Sequence, residues 1–230
     1  MFKHLFFHRT FFNPFIIFTA LMSREKISSV LSKYLPGPAV EDCTSWVIQK
    51  NIHLKITRGR SSKFGDYRPM ETGLGHRISV NHDLNPFAFL ITFVHEVAHL
   101  HAFTKFKHKH EPHGKEWKNE FRLLLSDFII KGIFPEDIHT ALSNYIQNPS
   151  ASSCTDHNLL RTLRKYDLRT ENVVHLEDLP EHTIFSLHQS RSGFVFKKGH
   201  KIRSRFHCLE MNSNRVYFVS PLAEVKLITV

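Results

Sequence analysis

His95, Glu96 and His99 stand in the order HEVAH. Two histidines four positions apart on a helix share one face, with Cβ atoms about 5–6 Å apart, so both imidazoles can hold a single tetrahedral zinc ion. A glutamate directly after the first histidine reaches the coordination position that such a site leaves open, where it can take the proton of a metal-acidified water. The chemistry predicted is hydrolysis of a carbonyl compound, with His95 and His99 as zinc ligands and Glu96 as the catalytic base. Eighteen histidines make a chance match easier than usual, so the context of the motif matters. It follows Phe93 and Val94 late in the apolar stretch FAFLITFVHEVAHLHAF, and three ionisable groups in a dry helix require a compensating partner, which a metal supplies.

A catalytic zinc takes three protein ligands. The downstream candidates are His101, His108, His110, Glu111 and His113. His101 is two residues from His99 and points to another helix face, while His108 and His110 lie in KFKHKHEP, which reads as a solvated basic loop. His113 is the best placed. It follows Pro112, precedes Gly114, and stands at the threshold of the helical segment KEWKNEFRLLL, where Trp117 can pack it.

These residues need a scaffold, and the flanking sequence provides one. Ile27, Val30, Leu31 and Tyr34 recur at helical spacing until Pro36-Gly37-Pro38 ends the pattern, and a second helix is predicted from Ala39 to Lys50. Ile52 to Thr57 and Arg77 to Asn81 alternate as half-buried strands do, with RGRSSKFGDYRPMETGLGH between them as a loop. Asn85-Pro86 is a helix-opening pair for the apolar motif helix. Further helices are predicted at Lys115 to Lys131 and Pro135 to Ile146, and NPSASSCTDHN has the composition of a linker. Beyond it, a short helix at Leu159 to Tyr166 precedes the β-rich runs TIFSL, GFVFK, KIRSRFHCL, RVYFV and EVKLI. The organisation predicted is α+β: a metal-binding domain over 23–148 and a small antiparallel β-rich module over 159–230.

Hydrophobic residues at 41% and charged residues at 23% exclude a disordered chain and a multispan membrane protein. A net charge of +10 and an isoelectric point near 9.6 favour phosphate backbones, acidic proteins or anionic surfaces as partners. Cys43, Cys154 and Cys208 are odd in number and widely spaced, which suits reduced thiols in a cytoplasmic protein. The opening MFKHLFFHRTFFNPFIIFTALMS is basic and then apolar. Pro14 interrupts the apolar run, no small-x-small cleavage site follows, and a patterned helix begins right after Met22. Residues 1–22 are therefore expected to be an apolar extension outside the folded domain, with a signal or membrane-surface segment as the alternative. The run is too short to span a bilayer comfortably, so no stable membrane association is expected.

The pairing of HEVAHLHAF with EPHGKEWK resembles the SprT-like family of zinc metalloproteases, in which HExxH is followed by a third histidine in an HG-x-x-W context. RSSKFGDYRP followed by HRISVNHDL is similar to the segment that precedes the active-site helix in this family and in related minimal gluzincins and ends in I-x-x-N. The resemblance covers roughly Ser23 to Ile146. It implies a minimal gluzincin-like metalloprotease domain holding one zinc on His95, His99 and His113, with Glu96 as base and peptide bonds as substrate. Many family members carry a four-cysteine zinc ribbon after the protease part; with Cys154 and Cys208 alone the C-terminal module cannot build one. Some relatives cleave proteins crosslinked to DNA, and the local chemistry is compatible. Lys105, Lys107, Lys109, Arg58, Arg60, Lys63 and Arg68 flank the motifs as candidate nucleic-acid contacts, with Phe64 and Tyr67 as stacking residues, although each taken singly also reads as a solvated cation or a core aromatic. Tyr67, Arg68 and His76 are the candidates for stabilising an oxyanion. The rival reading is a nucleic-acid-binding or transcription-related protein with a structural zinc and little peptidase activity; Glu96 argues against it, since a structural site has no use for a base beside an open position.

Overall fold

A computed structural model describes residues 23–60, 63–70, 75–149, 156–167, 174–188 and 193–228. The expectations for residues 1–22 and for Cys154 lie outside them. The chain divides into two units, Met1–Ser153 and Cys154–Val230.

In the first unit, Ser23 caps α1 (Arg24–Leu31) by accepting from the Lys26 N–H. The Pro36-Gly37-Pro38 break leads into α2 (Val40–Gln49), then β1 (Ile52–Thr57), β2 (Gly65–Arg68) and β3 (His76–Asn81). The sheet order is β1-β3-β2, with β1 parallel and β2 antiparallel to β3. Leu54, Ile56, Ile78 and Val80 alternate onto its buried face. β2 falls inside the segment expected to be a loop. It is a four-residue edge strand, half-buried and without an apolar alternation, so its pairing comes from β3 and not from a pattern of its own.

The motif helix, α3 (Pro86–Phe106), opens as expected: the Asn85 side-chain oxygen accepts from the N–H groups of Phe87 and Ala88, and Pro86 occupies the first turn. Among the described residues it is the one helix long and apolar enough to cross a membrane, yet 72% of its most apolar window is buried within the protein. It is a core helix, packed on β2, β3 and α4 (Lys115–Ile130). Helix α5 (Glu136–Tyr145) follows.

Asn81, at the end of the I-x-x-N segment, ties the sheet to the strand beside the motif. It is 1% exposed. Its amide oxygen accepts from Arg60 Nε at 2.8 Å and Thr57 Oγ1 at 3.3 Å, its amide nitrogen donates to the carbonyls of Arg60 and Lys63, and its backbone N–H bonds Phe64 O. One side chain thus fixes the chain on both sides of residues 61–62 and sets where β2 begins.

The second unit holds α6 (His157–Arg164) and the strands β4 (Val174–His175), β5 (Ile184–Leu187), β6 (Phe196–Ile202), β7 (Arg205–Glu210), β8 (Val216–Val219) and β9 (Glu224–Leu227). They form one antiparallel sheet in the order β4-β9-β5-β6-β7-β8. KIRSRFHCL, read as one run, is cut by a two-residue turn at Arg203-Ser204, where Arg203 takes a positive φ of 52°. Neither turn residue is a glycine, proline or asparagine, so the sequence shows no strong breaker there. Leu176, Phe185, Phe196, Phe206, Cys208 and Val225 form its core, so Cys208 is a packed side chain. Lys198 also points inward, its ammonium 4.1 Å from the Phe206 ring centroid and bonded to Leu179 O.

Replacing Asn81 by Ala leaves the Arg60 and Lys63 carbonyls without their donor. Equilibrium urea unfolding should show a loss of about 2–3 kcal/mol, the scale of several buried groups left unpaired. A loss below about 0.5 kcal/mol would mean that the loop holds its place without Asn81.

Candidate metal centre

Helix geometry puts His95 and His99 one turn apart on one side of α3, and the chain returns His113 to them at the N-terminus of α4. His99 Nε2 and His113 Nε2 are 2.9 Å apart and His95 Nε2 and His113 Nε2 are 3.2 Å apart; all three ligand atoms lie within 4.8 Å of one another. Zinc–nitrogen bonds of about 2.0–2.1 Å in tetrahedral geometry set ligand nitrogens roughly 3.3–3.4 Å apart, close to this spacing. Hydrogen bonding within the triad cannot satisfy it, because His113 Nε2 faces two nitrogens and carries at most one proton. Three neutral imidazoles converging on one point fit a metal cation.

Burial keeps them neutral. It holds His95 well below the usual imidazole range, with the charges of His99 and His113 adding to the effect, pushes His99 down to about 3, and lowers His113 as well. Trp117 forms the floor: it is fully buried, its ring centroid is 4.5, 5.3 and 4.8 Å from those of His95, His99 and His113, and its indole N–H donates to His95 O at 3.3 Å. His113 adopts a positive φ of 60°, a conformation costing about 1–3 kcal/mol outside glycine, which the turn into α4 maintains.

Glu96 is 6% exposed. Burial raises its carboxyl to about 8, the Asp66 carboxylate pushes the same way, and Arg60 and Lys63 oppose them. Gly65 of β2 lies directly over it, and a Cβ at that position would come within 2.4 Å of Glu96 Oε1. Gly65 is a site residue that sequence reading missed, since a lone glycine in a polar stretch looks like any loop glycine. Tyr67, two residues on, stacks parallel to the His99 ring at 6.3 Å and bonds His76 Nδ1 through its hydroxyl at 3.0 Å. Burial raises its pKa, so the phenol stays protonated.

The other candidates lie elsewhere. His101 Nδ1 pairs with Glu120 Oε2 at 3.2 Å, on a different face of α3 as helical spacing requires. His108 packs on Phe103 and His110 on Phe106, and neither joins the triad. Of the cations, Lys105 is bonded to Glu120, Lys63 and Arg68 to Asp66, and Arg60 to Asn81, Ser79 and Phe64 O. Lys107 lies over the Phe103 ring, Arg58 is exposed but not without a partner, and Lys109 is exposed.

Three converging histidines, His95 buried and His99 and His113 partly buried, with a glutamate beside the first of them on an α+β frame, are consistent with a metallopeptidase-like domain. Residues 53–128 match the family model of the SprT-like family, the family that the motifs resemble. The family is typically zinc-associated. No curated protein and no solved structure matched the chain.

Two outcomes follow for the triad. Zinc content should be about one ion per chain by metal analysis and should collapse in His95→Ala, His99→Ala and His113→Ala, while His108→Ala and His110→Ala keep it; retention in His113→Ala would remove that residue from the ligand set. In metal-free protein the three imidazoles bind fewer protons folded than unfolded once the pH falls below about 6.5, the ordinary histidine value, while Glu96, raised to about 8, binds more and offsets about one of them. Stability therefore declines from there toward about pH 3, by up to about 1.4 kcal/mol per pH unit for each buried imidazole. Melting curves of chelator-treated protein between about pH 7 and pH 5 should show this drop, and His99→Gln should flatten it.

Proposed function

We propose that the chain is a zinc metallopeptidase of the minimal gluzincin-like kind, hydrolysing peptide bonds of protein substrates. The observation that carries this reading is the convergence of three neutral imidazoles with a buried carboxyl group one residue from the first of them. Zinc held by His95, His99 and His113 would supply Lewis acidity to a water and to the scissile carbonyl. Glu96 would take the proton of that water and return it to the departing nitrogen; burial raises its proton affinity, and the positive charge of a zinc ion beside it would oppose that rise and keep the carboxylate free to accept the proton. Tyr67, which keeps its proton beside His99, is the donor to the carbonyl oxygen as negative charge develops there.

The strand over the site supports a peptide as substrate. β2 is paired to β3 along one edge and to no described strand along the other, so an extended chain can add to that edge by main-chain hydrogen bonds. Gly65 keeps the space between that strand and Glu96 free of a side chain. The net charge of +10 and the exposed Lys107 and Lys109 favour substrates associated with DNA, bound through phosphates.

Glu96→Gln keeps shape and removes the base. It should retain zinc and fold while losing about 10²–10⁴-fold in cleavage of an unfolded protein substrate; undiminished cleavage would refute the mechanism. Tyr67→Phe should lower kcat by about 10²–10³ with KM little changed, as expected of a group that acts as charge develops. Adding single-stranded DNA should speed cleavage of a DNA-bound protein and leave that of a free one unchanged, with an advantage that shrinks as salt is raised.

A further inference from the structure

Lys50, at the C-terminal end of α2, and Lys105, in the last turn of α3, both line a cavity of about 450 Å³ on a different side of α3 from the three histidines. Partial burial disfavours the Lys50 ammonium, and the charge of Lys105 disfavours it further. Among the described residues the Lys50 side chain has no hydrogen-bond or ion-pair partner. The carboxylate that acts on this pair is Glu120, and it is committed: Oε1 accepts from Lys105 at 2.6 Å and Oε2 from His101 at 3.2 Å. Lys50 and Lys105 therefore share the wall of one hollow, and the one carboxylate that acts on Lys50 is already bonded by Lys105 and His101. An anion is the ligand that would compensate the remaining charge.

The rest of the wall specifies what kind of anion. Gln49 and Asn51 add amide donors, whereas Met70 and Leu100 supply an apolar surface. The volume falls in the range of small-molecule sites and exceeds what a bare tetrahedral anion fills. Two separate point-like cations suit the several oxygens of a phosphoryl group; a lone carboxylate is matched better by the planar fork of an arginine. We propose that this cavity binds an organic phosphate, its phosphoryl oxygens between Lys50 and Lys105 and its carbon skeleton against Met70 and Leu100. Such a group belongs equally to a free nucleoside monophosphate and to one nucleotide of a strand. His76 is also in the wall, and through its bond to Tyr67 it connects the cavity with the ring stacked on His99. The site does not rest on peptidase activity.

The test is titration calorimetry of the full chain, zinc-loaded, with inorganic phosphate, adenosine monophosphate and a short oligothymidylate as probes. At least one organic probe should bind more tightly than inorganic phosphate. Lys50→Gln should weaken that binding about ten-fold or more, the scale of one charge-assisted hydrogen bond, while Lys50→Arg keeps most of it and Lys33→Gln, exposed just after α1 and outside the cavity lining, changes nothing. Met70→Glu places a carboxylate at the mouth without touching the lysines and should weaken binding likewise, so the result does not hang on one variant; zinc content and circular dichroism report that each is folded. A monophosphate bound more tightly than the oligonucleotide identifies a free ligand, and the reverse order with the same dependence on Lys50 identifies a strand. Absence of binding by all three probes, inorganic phosphate bound as tightly as the organic probes, or equal weakening by Lys50→Gln and Lys33→Gln would overturn the proposal. Because the readout is binding, loss of proteolysis in Glu96→Gln or its persistence bears on the other reading alone.

Discussion

Burial of His95, Glu96 and His99 in an otherwise apolar helix is the constraint on which the first unit depends. A charged group in that environment costs several kcal/mol unless something compensates it. The imidazoles respond by remaining neutral and the Glu96 carboxyl by holding its proton more tightly. Neutral imidazole is also the form that binds a metal, so the desolvation that would otherwise only destabilise the helix prepares the ligands. Trp117 makes this possible by covering all three rings with one side chain while its single N–H is satisfied by a carbonyl of α3.

The same constraint explains why a short edge strand matters. In the proposed peptidase Glu96 has to be dry yet open toward a substrate, and β2 covers it with backbone and one glycine, since a Cβ at residue 65 would collide with the Glu96 side chain. β2 has little apolar character to hold it there. Its position comes instead from Asn81, whose amide is bonded on both sides of the preceding turn. A polar side chain buried at the end of β3 is thus worth its desolvation, since each of its bonds replaces one that water would have made. In the proposed site the placement of Gly65 over Glu96 and the stability of the sheet both depend on this residue, whose hydrogen bonds go to Thr57, Arg60, Lys63 and Phe64.

Charge on this domain is organised by pairing more than by patches. Most of the cations flanking the motifs are engaged with Asp66, Glu120 or Asn81, which fixes loops and helix ends and leaves fewer free for a partner than the net charge of +10 suggests. Lys50 departs from this pattern by being partly buried with no ion-pair partner among the described residues, while Glu120 is taken up by Lys105 and His101.

Local rules determined much from the sequence alone. Helical periodicity located α1 to α5, the Asn85-Pro86 pair located the start of α3, and the i, i+4 spacing of His95 and His99 fixed their shared face before any tertiary contact was known. His101 was excluded as a ligand by the same spacing, and HG-x-x-W singled out His113 beside a packing tryptophan. Tertiary structure decided the rest, because it depends on which distant segments meet. That Gly65 lies over Glu96, that a stretch resembling a loop is the edge strand β2, that Asn81 anchors it, that Lys105 pairs with Glu120, and that Lys50 and Lys105 line one cavity all arise from packing between residues of separate segments. Sequence spacing sets what one helix or strand can present; only packing sets what is presented to it.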